Sequence, residues 1–533
     1  MLQQSPSWRR LATAACLAAA AGFALAAPAT SPTPTTPVLR GVTDLNSLPT
    51  LGDTARADLS PVFERKIGEE IMNDIRRDRD YLDDDPTLEF LNNFGENLVQ
   101  AAPGARGETN ADFFFFAVRD PMINAFALPG GFIGVHSQLL IAAQNESELA
   151  SVLSHEIGHV QQRHIARMIG QQKQDALLPL AALLLAALVG KAGGGADAAI
   201  GVAMGGQGLA IQRQLNFSRD AEREADRVGF QTMRTAGYDT TGMVNFFKRL
   251  QSTTRLYGEA PAWLSSHPLT GERIADIQAR IRDNPKPGRI KPDSIEFHLV
   301  RARARVLQDE SQNGRDEARS TFEAQMAEQN TQHQTAGMYG MAFLSLRQGD
   351  LKAAQSWLDK ARASTKPKPG VLSAERPGPN GEAMFAQLDI DIKMAPGQPP
   401  EVVAQAAQEA EQVYHRYPLS RMAARQYADA LIASGKLEQA GAFLREQVQQ
   451  YREEPKLYDK LAKTYAAQGK IALQHMALAE SYVLTGAVPA AVDQLDLARK
   501  AKDVSFYDQS VIDARERELK EKQKQDKQDK KDE

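Results

Sequence analysis

The stretch SHEIGHVQQRH, from Ser154 to His164, contains the pattern H-E-x-x-H in His155, Glu156 and His159. On an α-helix, residues four positions apart are separated by only about 40° around the axis, so the two histidines face the same side and can bind one ion. Glu156 lies about 100° further round, where its carboxylate can reach a water on that ion without binding the ion itself. The pattern therefore predicts a helix that carries a metal site.

This arrangement is typical of metallopeptidases, in which zinc lowers the pKa of a bound water to about 7 and the glutamate takes up its proton. The alternative is a histidine-rich helix surface. A chain of 533 residues with nine histidines has roughly a one in a hundred chance of containing H-E-x-x-H at random. A third ligand elsewhere in the chain would favour the metal site.

A third ligand is available in the segment SRDAEREADRVG, residues 218–229. Glu222 and Asp226 are again four positions apart, so they share one face of a helix predicted over 218–238. We predict Glu222 as the third metal ligand and Asp226 as the hydrogen-bond partner that fixes a ligand histidine. Taken alone, the pair is equally typical of a solvated helix face. Glu224 is rotated about 200° from Glu222 and is predicted to face elsewhere.

Composition limits the classes of function. Of the 533 residues, 42% are hydrophobic and 24% are charged, and the net charge is −4. This length predicts two or three domains. The near-neutral charge argues against electrostatic binding of nucleic acid, so we expect no nucleic-acid partner. The only cysteine, Cys16, lies in the N-terminal segment, and we therefore expect no disulfide and no cysteine-bound zinc.

The N-terminus has the pattern of a secretory signal peptide. Arg9 and Arg10 precede the apolar run 11–26, which ends in Ala-Leu-Ala, the order of charge, apolar core and cleavage site in such signals. We predict a signal peptide over residues 1–26, a Pro/Thr-rich linker over 27–57, and export of the mature protein. An uncleaved anchor is the alternative, although this short run of mostly small residues spans a bilayer poorly.

Strands are predicted at 113–118 and 131–137, with a turn at 127–131 before the second strand. Asn145 followed by Glu148 is a capping-box pattern, and it predicts the start of a helix that runs through H-E-x-x-H to residue 168. The insert 176–210 begins with the apolar stretch 176–190, which is too short to span a membrane as one helix. We keep two interpretations of it, a buried hairpin and a mobile flap that touches the membrane or the substrate.

From about residue 289 onwards the sequence predicts helices joined by short turns at glycine. Gly435 and Gly469 lie 34 residues apart, which is the period of tetratricopeptide repeats. We predict a zinc metallopeptidase domain over 58–288 and a tetratricopeptide-repeat domain over 289–505, interrupted by a loop at 365–381. The charged tail 506–533 is predicted to be solvated, with an unstructured final part.

Four linked segments resemble a known family: NAFALPGGFIGVHSQLL (124–140), NESELASVLSHEIGHVQQRH (145–164), SRDAEREADRVG (218–229) and SSHPLTGERI (265–274). They are similar to the gluzincin peptidases that include the HtpX heat-shock protease and the CAAX prenyl endopeptidases. With the export signal and the C-terminal repeats, the resemblance is to periplasmic members that act in outer-membrane protein assembly.

The resemblance implies one Zn²⁺ per chain with three protein ligands, His155, His159 and Glu222. It implies that Glu156 is the general base and that strand 124–135 pairs with the substrate as an added strand. It further implies that His267 can take the fourth position on the zinc and hold the enzyme latent. Arg273 is implied to stabilise the oxyanion of the tetrahedral intermediate.

The sequence therefore predicts an α+β zincin-type metallopeptidase domain, mostly helical with a small sheet, followed by an all-α tetratricopeptide-repeat superhelix. The implied function is degradation of unfolded or misassembled outer-membrane proteins in the periplasm and assistance to β-barrel assembly. The repeats would bind the β-barrel assembly machinery, and 176–190 would provide any peripheral contact with the outer membrane. The alternative is a chaperone or assembly factor in which the repeats act and the protease site is latent.

Overall fold

A computed structural model describes residues 60–101, 112–170, 219–257, 263–264, 267–284, 290–365 and 381–532. The predicted signal peptide 1–26, the linker 27–57 and the apolar insert 176–210 lie outside the described residues, as does most of the loop 365–381. The described chain is mostly helical with one small sheet, which confirms this part of the predicted fold class.

The sheet has three strands, β1 (Phe114–Val118), β2 (Ala125–Leu128) and β3 (Phe132–His136). β3 lies in the centre, parallel to β1 and antiparallel to β2. A short turn at Pro129–Gly131 joins β2 to β3, with Gly130 at a φ of 76° and Gly131 at a φ of 93°, where glycine is favoured. The residues alone predicted only two strands, because all four residues of β2 are apolar and buried and show no alternation. The single strand at 124–135 that the resemblance implied was wrong, since the turn at Pro129–Gly131 divides it into β2 and β3.

Helices surround the sheet in the first part of the described chain. In order they are α1 (Pro61–Arg77), α2 (Asp85–Ala101), α3 (Ser137–Ala142), α4 (Glu146–Gln161), α5 (His164–Gly170), α6 (Arg219–Thr235), α7 (Thr241–Tyr257) and α8 (Gly271–Asp283). α4 begins at the predicted cap, where the Asn145 side chain accepts a hydrogen bond from the Glu148 backbone at 2.9 Å.

The helix predicted to run to residue 168 is broken between α4 and α5. Arg163 lies at the break with a φ of 51°, a left-handed conformation that is uncommon for residues other than glycine. Its guanidinium pairs with Glu64 of α1, with Nε and Nη2 3.0 and 2.9 Å from Oε2, and both residues are buried. This ion pair ties α1 to the end of the helix that carries His155 and His159.

Two glycines set the distance between α4 and α6. A Cβ added to Gly229 of α6 would lie 3.0 Å from the His155 backbone nitrogen, and one added to Gly158 of α4 would lie 3.0 Å from the Ala225 carbonyl oxygen. Any larger residue would press one helix backbone against the other. The absence of side chains here lets Glu222 on α6 come within reach of the histidines on α4.

The rest of the described chain is an array of helices in which consecutive members pack together. They are α9 (Ile295–Gln308), α10 (Gln312–Ala327), α11 (Thr331–Arg347), α12 (Leu351–Ser364), α13 (Glu382–Met394), α14 (Pro400–Arg416), α15 (Arg421–Ala433), α16 (Leu437–Gln450), α17 (Pro455–Ala467), α18 (Ile471–Leu484), α19 (Val488–Lys500) and α20 (Phe506–Asp532). The predicted hairpin turns are at Gly349, Gly435, Gly469 and Gly486, with φ between 72° and 79°.

The array contacts the first part of the chain at several points. Arg303 of α9 forms a buried ion pair with Asp84, which precedes α2. Ser420 and the Met422 backbone at the start of α15 donate to Glu89 of α2 at 2.8 and 2.9 Å. Further along, Arg425 pairs with Asp85 and Lys456 with Asp83. The array therefore curls back onto α2.

The final part of the predicted tail is helical. α20 continues to Asp532, through the segment predicted to be unstructured. Lys, Gln and Glu have high helix propensity, and oppositely charged residues four apart, such as Glu516 and Lys520, form an ion pair on its surface. Among the described helices, none combines the length and the hydropathy needed to cross a bilayer.

Candidate metal centre and active site

α4 places both histidines of the H-E-x-x-H pattern in the interior, against α6. His155 is fully buried and His159 is 1% exposed. Their Nε2 atoms lie 3.0 Å apart. Glu156, on the same helix, is also buried. Buried polar groups are costly without partners, and the partners come from α6 and from the segment before α8.

Two further side chains complete a group of four. Glu222, in the first turn of α6, has Oε2 3.5 Å from His155 Nε2 and Oε1 3.4 Å from His159 Nε2. His267 has Nδ1 2.9 Å from Glu222 Oε1 and 3.4 Å from His155 Nε2. One candidate ligand atom from each of the four residues lies within 4.8 Å of the others, and all four residues are buried.

These atoms fit a small metal ion. Around a tetrahedral ion with bonds of about 2.0–2.1 Å, ligand atoms lie about 3.3 Å apart. Five contacts among the four residues run from 2.9 to 3.5 Å, and every pair of candidate ligand atoms lies within 4.8 Å. Burial would raise the pKa of Glu222, but the charge of His267 and hydrogen bonds from the three histidines hold it well below its usual value. The carboxylate therefore stays ionised, as a metal ligand must.

Asp226 fixes the orientation of His155. Its Oδ1 lies 3.0 Å from His155 Nδ1, so the imidazole donates from Nδ1 and turns Nε2 towards the other ligand atoms. Arg273 of α8 donates from Nε and Nη2 to the two oxygens of Asp226, at 2.6 and 2.8 Å. Burial would raise the pKa of Asp226, but the hydrogen bonds from Arg273 and His155 lower it.

His164 holds His159, and sequence analysis did not single it out. His164 Nε2 lies 3.0 Å from Glu224 Oε2, and its Nδ1 lies 2.8 Å from His159 Nδ1. Burial lowers the pKa of His164, so its ring is neutral at pH 7. Since the carboxylate only accepts, His164 donates to it from Nε2 and accepts from His159 at Nδ1. His159 thus also presents Nε2 to the centre, while Glu224 faces away from Glu222.

Arg273 bridges two acids of the site. Besides Asp226, it contacts Glu222, with Nη1 2.7 Å from Oε2, and donates from Nη1 to the Pro268 carbonyl oxygen at 2.9 Å. Burial opposes its charge, but the hydrogen bonds to Asp226 raise the pKa of Arg273. The guanidinium therefore holds α8 and the segment before it against the candidate ligand. Its predicted contact with an oxyanion stays a prediction.

Glu156 lies beside the group of four without joining it. Its Oε1 is 3.6 Å from His267 Nε2 and accepts from Trp263 Nε1 at 3.3 Å. Its Oε2 is buried and has no hydrogen-bond partner among the described residues. Burial raises the pKa of Glu156, and the charges of His267 and His155 offset only part of that rise. A carboxylate with one oxygen available and a raised pKa can act as a general base.

Trp263 is a second residue that sequence analysis missed. It is 1% exposed and stacks on His267, with ring centroids 5.0 Å apart and planes at 26°. Its backbone N–H donates to the Ile123 carbonyl oxygen at 3.2 Å, close to β2, and the His267 N–H donates to its carbonyl oxygen at 2.8 Å. The spacing of four residues between Trp263 and His267 could have indicated that their rings lie on one side of a helical turn.

Comparisons with known proteins identify the class. The sequence profile of peptidase family M48 matches residues 91–281. A relative from Vibrio cholerae is 40% identical over 260 residues, which are 48% of this chain and 51% of the relative, so that match spans about half of the relative's length. The beta-barrel assembly-enhancing protease of Yersinia pestis is 30% identical over 472 residues, 88% of this chain and 90% of the relative. The one from Escherichia coli (strain K12) is 29% identical over 482 residues, 90% of this chain and 92% of the relative.

The fold and the family match define a metalloendopeptidase. The chain belongs to peptidase family M48 and, over most of its length, is homologous to the beta-barrel assembly-enhancing proteases. The resemblance carried by the four linked segments is thereby confirmed.

Proposed function

We propose that this protein is a periplasmic zinc metalloendopeptidase that degrades misassembled outer-membrane proteins and assists β-barrel assembly. The observation that carries the proposal is the buried group of His155, His159, Glu222 and His267 with Glu156 beside it. The substrate class is taken from the relatives, whose name is beta-barrel assembly-enhancing protease.

In this proposal His155, His159 and Glu222 hold one Zn²⁺ per chain. When bound, zinc acts as a Lewis acid and lowers the pKa of a water in an open position to about 7. The hydrogen bonds at the two Nδ1 atoms support the assignment. Because Nδ1 of His155 is hydrogen-bonded to Asp226 and Nδ1 of His159 to His164, both rings are oriented with Nε2 towards the ion.

Glu156 is the proposed general base. Its Oε2 accepts the proton of the attacking water and returns it to the leaving amine, while Trp263 holds Oε1. Asp226 and Arg273 keep the ligands in place. For Arg273 to stabilise the developing charge on the substrate carbonyl oxygen, its Nη1 would have to leave the Pro268 carbonyl oxygen.

β2 is the proposed docking strand for substrate, because it is an edge strand of the sheet and packs on α4. The array from α9 to α19 is the proposed tetratricopeptide-repeat domain, which would bind the β-barrel assembly machinery or its clients. The glycine turns with positive φ between its paired helices support that assignment.

A second candidate is an assembly factor in which the array acts and the protease site is latent. The position of His267 favours it, because a metal with four protein ligands has no open position for water or substrate. Trp263 also restricts access to the candidate metal centre. It contacts Glu156 Oε1, and its backbone lies against Ile123, next to the proposed docking strand.

The test is degradation of casein by the mature chain, residues 27–533, with bound zinc quantified for each variant. We expect Glu156→Gln to bind zinc and not to cleave, and His267→Ala to cleave faster than the wild type. Glu272→Gln, an exposed glutamate in the first turn of α8, is the matched control and should cleave like the wild type.

The outcomes separate the two candidates. Cleavage by Glu156→Gln at the wild-type rate would contradict the peptidase mechanism. If every variant binds zinc and none cleaves, the assembly factor is favoured. In cells, a Glu156→Gln protein that supports barrel assembly as the wild type does would also favour the assembly factor, whereas one that fails only to remove stalled barrels would favour the protease.

A further inference from the structure

A cleft of about 500 Å³ opens beside the candidate metal centre, and His159 forms part of its lining. Its size falls within the roughly 300–1,000 Å³ of ligand-binding pockets. The apolar residues that line it are Pro61, Val62, Leu128, Pro129, Val160 and Ile165. They come from the start of α1, from the end of β2 and from the chain that follows His159.

Close backbone contacts fix two walls of this cleft. A Cβ added to Gly130 would lie 2.7 Å from Arg65 Cα, and one added to Gly68 would lie 2.0 Å from the Pro129 carbonyl oxygen. The Arg65 guanidinium donates to the carbonyl oxygens of Gly130 and Asp112, both at 2.9 Å. The turn after β2 thus packs directly against α1. The cleft therefore has rigid walls and is not a gap between loosely packed elements.

The charges around the cleft largely neutralise each other. Arg163 pairs with Glu64 across its inner end, and Arg65 pairs with Glu69 at 2.9 Å. Lys66, Asp112 and Glu453 also line the cleft, so its lining carries three basic and four acidic residues. Such a near-balanced lining does not strongly select a charged ligand, whereas the apolar residues between the charges favour aliphatic and aromatic side chains. Arg163 holds its place despite a φ of 51°, and backbone conformations of this kind are concentrated at functional sites.

The helical array also reaches the cleft. Glu453, in the connection between α16 and α17, is part of its lining. The same cavity is therefore bounded by His159, a candidate metal ligand, and by a residue of the array.

We propose that this cleft binds an extended, unfolded polypeptide segment on one side of the scissile bond and takes apolar side chains. The array forms the outer side of this cleft. A client polypeptide bound by the array would therefore enter the active centre through the cleft. This inference rests on the proposed peptidase function and adds to it a substrate-binding surface shared by the two parts of the chain.

Thiol labelling tests the cleft. Residues 27–533 contain no cysteine, so one introduced cysteine is the only thiol. Val62→Cys and Glu453→Cys, each combined with His267→Ala, are assayed on casein before and after reaction with a bulky maleimide. Phe506→Cys is the matched control, since Phe506 is 90% exposed, as Val62 is 81% exposed, but lies in α20, outside the α9–α19 array, and does not line the cleft.

We expect the bulky label at residue 62 or 453 to slow cleavage by about tenfold or more and the label at 506 to leave the rate unchanged. If the His267→Ala chain does not cleave casein at all, the proposed function fails. If it cleaves and neither label slows it, the cleft proposal fails. If the label at 62 slows cleavage and the label at 453 does not, the contribution of the array is overturned.

The side-chain preference is tested on the same digests. Mapping the cleavage sites in casein by mass spectrometry should show aliphatic or aromatic residues enriched within a few positions on one side of the scissile bond. Sites without such enrichment would overturn the apolar character of the cleft.

Discussion

The two histidines of α4 are oriented through Nδ1 by chemically different partners. Asp226 is an anion that strengthens the lone pair on His155 Nε2, and Arg273 holds that anion in place. His159 relies on a neutral imidazole, His164, which in turn donates to Glu224. Outer partners of this kind set both the affinity and the geometry of a metal site.

Removing the outer imidazole should weaken metal binding without removing a ligand. We predict that His164→Leu lowers zinc affinity by about 10–100-fold, because His159 then lacks the acceptor that fixes its tautomer. Chelator competition on the purified protein measures this. His475→Leu is the control, a half-buried histidine in α18 that contacts Gln494. Equal affinities for the two variants would contradict the role of His164.

Metal binding should depend on pH through His155. Burial opposes its protonation, yet hydrogen bonds to Asp226 and Glu222 raise the pKa of His155 to about 9. Below that pH the ion must displace a proton, so affinity should rise with pH, by about tenfold per unit for one proton released, and level off near pH 9. Titrations at pH 6, 7, 8 and 9 measure the slope. Asp226→Asn should flatten it, because the neutral amide no longer favours the protonated ring.

The i, i+4 spacings in the sequence were enough to nominate His155, His159, Glu222 and Asp226, and the structure brings all four together. No spacing could nominate His164. On an unbroken helix it would point about 140° away from His159, and only the break at Arg163 returns it to the ligand. Arg273 and His267 came from the family resemblance alone, because a loop histidine and a helix arginine carry no periodic signal.

At the scale of elements, the site depends on how closely α4 and α6 approach each other. We predict that Gly229→Ala lowers both zinc affinity and stability, the latter by about 1–3 kcal/mol, because the new methyl group meets the backbone of His155. Thermal unfolding and chelator competition measure the two effects. Gly271→Ala is the control, since nothing lies within 4 Å of its added Cβ, and it should unfold at the wild-type temperature or slightly above. Retention of wild-type zinc affinity by Gly229→Ala would contradict this account.

Helices with strong periodic patterns and caps, such as α4, were predictable, as were the glycine turns of the array. The errors fell where tertiary contacts override local preference. The buried ion pair with Glu64 holds Arg163 in the conformation that ends α4. β2 has no alternation because both of its faces are covered. The tail was mistaken for a disordered segment, although its charges also suit a long helix.

At the scale of the whole molecule, the array and the first part of the chain are joined through a buried ion pair. Arg303 donates from Nε to Asp84 Oδ2 at 2.9 Å and from Nη1 to the Tyr339 hydroxyl at 2.9 Å. We predict that Arg303→Met lowers the free energy of unfolding by about 3–5 kcal/mol, because Asp84 is left as an uncompensated buried charge. Urea titration measures the change.

The control for that prediction lies two residues further along the same helix, on the opposite face. Arg305 pairs with Glu317 at 3.2 Å, and the Glu317 side chain is 75% exposed. Arg305→Met should therefore cost less than about 1 kcal/mol. Similar losses for the two variants would show that Arg303 acts through general packing and not through its pairing with Asp84.

Because the array curls back onto α2, its two ends are less free to move apart than those of an open superhelix. It is fastened at Asp84 by Arg303, and again at Asp85 and Asp83 by Arg425 and Lys456. An open superhelix widens under a small force, whereas this array can widen only when the ion pairs that hold it to α2 and the residues before α2 break. The ion pairs of Arg425 and Lys456 are partly exposed, and salt screens ion pairs of this kind. Ionic strength should therefore determine the stiffness of the array and, through it, the width of the client polypeptide that the array can bind.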